Sequence, residues 1–339
     1  NLNAQPEHYV SKNPRFCISA LSRYRPEDFV AWVDSAGIAH HEKTQGQLFC
    51  TGSAQEIVDL LVSGCEEAGA RIICRADVQR ARRTKTGFEV MTQDQVWSCR
   101  SLVVACGGPS IPKMGATRLG YGIADHFGLH VIEPRAALVP LTFEGALLRM
   151  MSDLSGVSLR CGVACGKARF VDDVLFTHRG LSGPAVLQIS TFWRPGLSVT
   201  FDLLPGRDVA DLVAEQRARD PKMRLEKLMG QWLPARIGQA ILEELGLSGR
   251  IAEISRKRIE ELAARVHAWS VTPAGTEGMR TAEVTVGGVD TRAVSPKTFE
   301  VKSVPGLYFI GEVLDVTGQL GGYNFQWAWA SGHACGQVV

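Results

Sequence analysis

Residues Gly306 to Gly336 read GLYFIGEVLDVTGQLGGYNFQWAWASGHACG. The apolar run Leu307-Tyr-Phe-Ile310 has the character of a buried strand and leads into a glycine and an acid, Gly311 and Glu312. A glycine-rich loop follows from Gly318 to Gly322, and a helix is expected to open at Tyr323-Asn324. Strand, glycine turn and helix N-terminus in that order make a receptacle for an anion. Glycine lets the backbone approach a ligand closely, and the free N–H groups and dipole of a helix start favour negative charge. The acid at the strand end suits a hydroxyl-bearing ligand instead.

A second stretch, SLVVACGGPSIPKMGATRLGYGIADHFG from Ser101 to Gly128, repeats the plan. An apolar strand ends in Ala-Cys-Gly-Gly, and a glycine-spaced loop leads to a helix carrying Ile123, Ala124 and Phe127. Glycine turns after parallel strands are common, so this stretch alone says little. Paired with the first, it points to a ligand with both phosphates and a polyol chain, and a flavin dinucleotide has both.

At 339 residues the chain is too long for one ordinary core, which predicts two or more domains. There is no run long enough for a membrane span and no signal-peptide pattern, so the expectation is a cytoplasmic protein without a membrane partner. The net charge of +2 argues against nucleic acid as a partner. The densest basic run, RARRTK from Arg80 to Lys85, reads as a solvated hairpin. Nine scattered cysteines, with Cys74 and Cys106 in apolar company, suggest reduced, buried thiols. Cys161 and Cys165 read as a strand pair in the core, and no metal site is expected.

Between these landmarks the elements are legible. Arg25-Pro26-Glu27-Asp28 starts a helix running to Ala36, and Gly46 to Cys50 is a short strand. Ser53 with Glu56 forms a capping box for a helix whose apolar positions are Ile57, Leu60, Leu61 and Cys65. Gly69 ends it, and Ala70 to Cys74 is predicted as a strand. Two more strands are expected near Gly87 to Met91 and Gln95 to Cys99. Helical spacing recurs at Val209 to Arg219, Leu225 to Trp232 and Ile254 to Val266. His40-His41 is expected in a solvated turn, and His333 packed within the last helix.

The two glycine-rich stretches, with FTHRGLSGPAVLQIS (Phe176 to Ser190) and EVTVGGVDTRAVSPKTFEVK (Glu283 to Lys302), resemble the HI0933-like flavoproteins, also called the YhiN or BaiN-like family, over essentially the whole chain. The resemblance implies an α/β protein with a discontinuous, glutathione-reductase-like Rossmann domain for FAD and NAD(P). A β-barrel-like domain and a small helical subdomain are inserted in it. On that plan residues 1–133 and 280–339 form the FAD domain, 134–207 with 271–279 the β-rich insert, and 208–270 the helical part. Family members begin with a βαβ unit carrying G-x-G-x-x-G, which is not found after Asn1 in this sequence.

The resemblance also implies residue roles. Gly311 and Glu312 would face the phosphates and ribityl chain. Gly321, Gly322, Tyr323 and Asn324 would present the helix start to the pyrimidine edge of the flavin, with Asn324 alternatively serving as an N-cap. Val78 would meet adenine through its backbone, and Cys106, Gly107 and Gly108 would line the adenosine side. Gly287 and Gly288 would pass the ring face, although a tight hairpin explains them equally. His178 and Tyr323 are the candidate catalytic groups near a substrate pocket. The implied function is an FAD-dependent oxidoreductase that moves a hydride between flavin N5 and a small organic substrate or NAD(P)H. The alternatives are a flavoprotein fold used as a non-catalytic binding module, and an RNA-modifying relative that the near-neutral charge disfavours.

Overall fold

The computed structural model describes residues 1–339. They divide into two compact units, Asn1–Arg135 with Val284–Val339, and Ala136–Glu283. No helix is long and apolar enough to cross a membrane.

The first unit is organised around the stretch that decides its fold. Strand Leu307–Phe309 lies parallel to Leu102–Val104, with Leu307 opposite Leu102 and Phe309 opposite Val104. Both strands therefore end at the same level, and both glycine loops emerge on one edge. This is the crevice beyond the carboxyl ends of parallel strands, where α/β folds receive ligands. Helix Tyr323–Gly336 returns across the sheet and buries Trp327, Ala330 and Ala334 with Phe299 and Phe309. Strand Val284–Val289 is buried along its whole length beside Val131–Ala137.

Local signals in this unit form largely as expected. Asp28 accepts the Arg25 backbone N–H at 2.6 Å and opens helix Pro26–Ser35. The Ser53 N–H donates to Glu56 Oε1 at 2.7 Å, but the N-cap of helix Gln55–Glu67 is Ala54, and Ser53 Oγ accepts the Gln55 N–H at 3.1 Å, so only half of the expected capping box forms. That helix nevertheless has no buried residue. The strand expected over Ala70 to Cys74 does not form, and Ile72 and Ile73 are 54% and 49% exposed. An apolar run becomes a strand only where a neighbour takes its N–H and C=O groups, and none of the strands pairs with this one. Cys74 is consequently exposed rather than buried, and Cys106 is exposed in the glycine loop beyond the end of strand Leu102–Val104. The next strands, Val78–Arg83, Phe88–Thr92 and Val96–Cys99, make an antiparallel sheet with Ala81 opposite Val90 and Val90 opposite Trp97.

The second unit carries a seven-stranded antiparallel sheet. Its hairpin Ser158–Cys165/Ala168–Thr177 is flanked by Val199–Asp202 and Trp269–Val271 on one side. On the other side lie Gly180–Ser182, Leu141–Thr142 and Gly275–Thr276. Laid flat, the two edge strands would stand roughly 29 Å apart. Yet the chain passes from Val271 to Gly275 in four residues, which reach about 14 Å at most. The sheet therefore rolls back on itself.

Besides the short helices Gly145–Asp153 and Pro184–Ser190, this unit has four helices after the sheet strand Val199–Asp202: Val209–Arg219, Leu225–Met229, Ala235–Leu245 and Arg256–His267. Asp208 caps the first by accepting the N–H groups of Ala210 and Asp211 at 2.7 and 3.1 Å. Sequence periodicity anticipates three helical segments and misses Ala235–Leu245, which restarts after Pro234. The helices have no core of their own. Leu225, Ile237, Ile241, Leu262 and Val266 join Phe201 and Trp269 of the sheet in one continuous cluster. Each such fully buried side chain contributes about 1.5–3 kcal/mol. Cys161 and Cys165 lie buried on one strand of this core.

Candidate active site

At the carboxyl edge of the parallel pair lies a cleft of about 370 Å³. One wall is the loop from Ala105 to Ser110, the opposite wall is Ile310 to Glu312, and the floor is Ala328 and Trp329 of the last helix. Gly107 and Gly311 take φ values of +67° and +71°, and nothing lies within 4 Å of where a Cβ would stand on either. Their freedom serves the backbone turn and leaves both walls smooth toward the cleft. The strand end is pinned to the helix behind it: Gly311 N–H donates to Ser331 Oγ at 3.0 Å, and Trp327 Nε1–H donates to the Gly311 carbonyl at 3.0 Å.

Glu312 is the charged group of this cleft. It is half-buried, makes no hydrogen bond or ion pair, and burial pushes its carboxyl from 4.5 up to about 7. A carboxyl without a partner beside an open cleft is suited to accept a ligand hydroxyl. Behind Gly108, the Tyr121 hydroxyl and Thr285 Oγ1 are buried without hydrogen-bond partners. A Cβ on Gly108 would stand 2.6 Å from Thr285 Oγ1 and 3.2 Å from the Tyr121 oxygen. Burial raises the Tyr121 phenol to about 12, so it stays a donor at neutral pH. These two hydroxyls and the Trp329 ring were missed in the sequence. Trp329 stacks on Phe29 at 4.6 Å and faces Phe325 at 6.1 Å, and the i, i+4 spacing of Phe325 and Trp329 was the available signal.

The candidate residues fall into three groups. Gly107, Gly108, Gly311 and Glu312 line the cleft, with Cys106 between two of its lining residues. Gly321, Gly322, Tyr323 and Asn324 stand at the start of the last helix, whose N-cap is Gly322 rather than Asn324. The Asn324 amide is consumed by the preceding loop: its oxygen accepts the Gly318 N–H at 2.7 Å, and its nitrogen donates to the Gly318 carbonyl at 3.0 Å. Tyr323 is buried, and its carbonyl accepts the Tyr9 hydroxyl at 2.9 Å. The third group stands apart from the cleft lining. Val78 opens a strand of the antiparallel sheet, half-buried.

Gly287 and Gly288 sit inside a buried strand rather than in a hairpin. A Cβ on Gly287 would meet the Glu133 carbonyl at 2.6 Å, and one on Gly288 the Val313 carbonyl at 2.6 Å, so protein backbone already fills the space beside them. His178 belongs to the second unit, exposed in the turn between two strands, where its carbonyl accepts the Ser152 hydroxyl at 3.1 Å. His40 is held by Asp34 at 2.9 Å at the start of a strand, and His333 is exposed and stacked on Tyr24 at 4.6 Å.

Parallel strands, a crevice at their carboxyl ends and glycine-smoothed walls define a Rossmann-type ligand-binding protein. The chain belongs to the HI0933-like family: the model described as the HI0933-like protein Rossmann domain matches residues 1–338. A Haemophilus influenzae protein named ribosomal RNA dihydrouridine synthase is 48% identical over 342 residues, covering 99% of this chain and 85% of the relative. An Escherichia coli protein of the same name is 47% identical over 343 residues, with the same coverages. The 3-dehydro-bile acid delta(4,6)-reductase of Clostridium scindens is 26% identical over 350 residues, covering 98% of this chain and 84% of that protein. At a coarse level this is a family of oxidoreductases related to flavoproteins.

One expectation is overturned here. The near-neutral charge argued against nucleic acid, yet two relatives sharing nearly half of the aligned residues are named for ribosomal RNA. Net charge averages over the whole molecule, and a local excess disappears from it.

Proposed function

We propose that this chain is an FAD-dependent reductase that saturates the C5=C6 bond of a uracil base in ribosomal RNA. The balanced reaction takes uridine, NAD(P)H and a proton to dihydrouridine and NAD(P)⁺. The observation that carries the flavin part is the partnerless Glu312 carboxyl facing a cleft walled by Gly107 and Gly311. The names of the two relatives near 48% identity support the substrate.

The residues fit a flavin dinucleotide. Glu312 would accept a ribityl hydroxyl, the backbone at Gly311 would lie against the phosphates, and Cys106 to Gly108 would take the adenosine side. The helix that starts at Tyr323 would direct its N–H groups toward the flavin ring. When bound, a flavin supplies the hydride at N5. The task left to the chain is to orient the cofactor and uracil, exclude water and deliver one proton. Tyr323, at the start of the last helix, remains the proposed proton donor of the first unit.

Titrating the full chain with FAD tests the cofactor assignment through the flavin absorbance bands at about 370 and 450 nm. Binding that weakens tenfold or more in Glu312→Ala supports it. A chain that takes up no FAD, or a variant that binds FAD as tightly as the wild type, overturns the placement.

A further inference from the structure

The whole chain carries an excess of only two positive charges, but they are unevenly distributed. Two segments of the second unit, Arg217 to Lys227 and Arg250 to Arg258, hold nine cations against three acids. That excess of six exceeds the excess of the whole chain, so the remainder of the molecule is net acidic.

The fold brings these two segments together. Arg224 and Arg250 face each other in an antiparallel bridge. The Leu225 N–H donates to the Gly249 carbonyl at 2.9 Å, and the Ile251 N–H donates to the Met223 carbonyl at 2.9 Å. Arg217 closes the far end by donating to the carbonyls of Ile251 and Ile254 at 2.7 and 2.8 Å. The next helix, Arg256–His267, begins directly after this turn.

Two features separate the cluster from an ordinary solvated face. Arg219, Lys222, Lys227 and Lys257 are exposed, and none of their side chains has an ion-pair or hydrogen-bond partner. Helix Arg256–His267 opens with Arg-Lys-Arg and has no acid in its first turn. Cations at a helix N-terminus oppose the macrodipole. Glu260 and Glu261 pair with Arg256 and Arg258, which leaves Lys257 as the unpaired cation of that turn. The other basic run, Arg80 to Lys85, differs in degree: Arg82 is paired with Glu89 at 2.6 Å and Arg80 Nε contacts the Met91 sulfur, so two exposed cations without partners, Arg83 and Lys85, stand against four in the cluster.

We infer that the face formed by these two segments docks the sugar–phosphate backbone of the RNA substrate, placing several phosphates against Arg219, Lys222, Lys227 and Lys257. This rests on the reading of the chain as an enzyme of ribosomal RNA and deepens it. The face would hold the nucleic acid by charge without reading its bases.

The test uses the full-length chain and end-labelled, protein-free ribosomal RNA, with binding followed from low to moderate salt. The docking variant is Arg219→Ala/Lys222→Ala/Lys227→Ala/Lys257→Ala. The control removes the same number of charges from the other run, as Arg80→Ala/Arg82→Ala/Arg83→Ala/Lys85→Ala. FAD uptake by each variant reports that the fold is intact. The docking variant is expected to bind about 30-fold more weakly near 0.1 M salt, with a salt slope shallower by roughly 3. The control is expected to stay within about threefold of the wild type. A docking variant that binds like the wild type, or two variants that lose affinity equally, overturns the inference while leaving the enzyme reading in place. A wild-type chain that binds no ribosomal RNA even at low salt removes both.

Discussion

Helix Ala235–Leu245 in the second unit and helix Gln55–Glu67 in the first are written in the same code. Each places apolar residues at three- and four-residue spacing, and each forms. The first buries Ile237, Ile241 and Leu242 against a shared core. The second buries nothing, and the apolar run after it, Ile72-Ile73, stays half exposed. Amphipathic spacing therefore specifies a helix and the face it offers, whereas burial depends on a second surface that meets that face. The sealed unit gains its stability from one continuous core. The other unit stays open along the edge where its glycine loops emerge, and the cleft lies at that edge.

This contrast is most severely tested in the core. Leu262→Ala in the sealed unit should cost about 2–5 kcal/mol, read as a drop in the urea midpoint of that unit. An effect below about 1 kcal/mol would show that its cluster is not the source of its stability. The glycines sharpen the contrast on a smaller scale. Gly287→Ala drives a methyl into the Glu133 carbonyl and should cost about 1–3 kcal/mol without FAD present. Gly311→Val meets no steric obstacle but imposes a side chain at φ +71° and intrudes on the cleft. It should weaken FAD binding at least tenfold with a smaller loss of stability.

The pH dependence of the open unit gives the next effect. The Glu312 carboxyl is raised in the folded chain from 4.5 to about 7, so the folded state holds a proton that the unfolded state releases. Stability contributed by the neutral form is complete below about pH 4 and is lost as the pH rises toward 7. Glu312→Gln should remove that loss and stabilise the ligand-free protein by on the order of 1–2 kcal/mol at pH 8, and by nothing at pH 4. Equal effects at both pH values would contradict the burial of this carboxyl. The smallest effect is expected from Leu60→Ala on the uncovered helix, under about 1 kcal/mol. A loss as large as that of Leu262→Ala would erase the contrast between the units.

Much of this was legible in the sequence, and the failures have physical causes. The Pro26 helix start and the strand at Leu307 depend on neighbours in sequence or on long apolar runs, and they form as read, whereas at Ser53 only the Glu56 half of the capping box forms and the helix N-cap is Ala54. The strand at Ala70 to Cys74 failed because a ladder needs a partner, which local pattern cannot supply. Cys74 was misread as buried for the same reason, and Cys106 because the paired strand ends at Val104 and leaves it in the glycine loop. That Gly311 and Glu312 stand at a strand end lining the cleft is legible because strand, glycine and acid are contiguous. Tyr121 and Thr285 were missed because two hydroxyls from distant segments meet only behind Gly108. The basic face escaped because its halves join through the Arg224–Arg250 bridge, while net charge sums over the whole chain.

The central claim is that the cleft holds a flavin that reduces uracil in ribosomal RNA. Incubating the full chain with FAD, NADPH or NADH and protein-free ribosomal RNA, then digesting the RNA to nucleosides for mass spectrometry, tests it most directly. The account predicts dihydrouridine, heavier than uridine by two hydrogens, formed only with flavin and nicotinamide present and sharply reduced in Gly311→Val. Flavin that is bound and reduced by the nicotinamide while every uridine in the RNA stays unsaturated would contradict it.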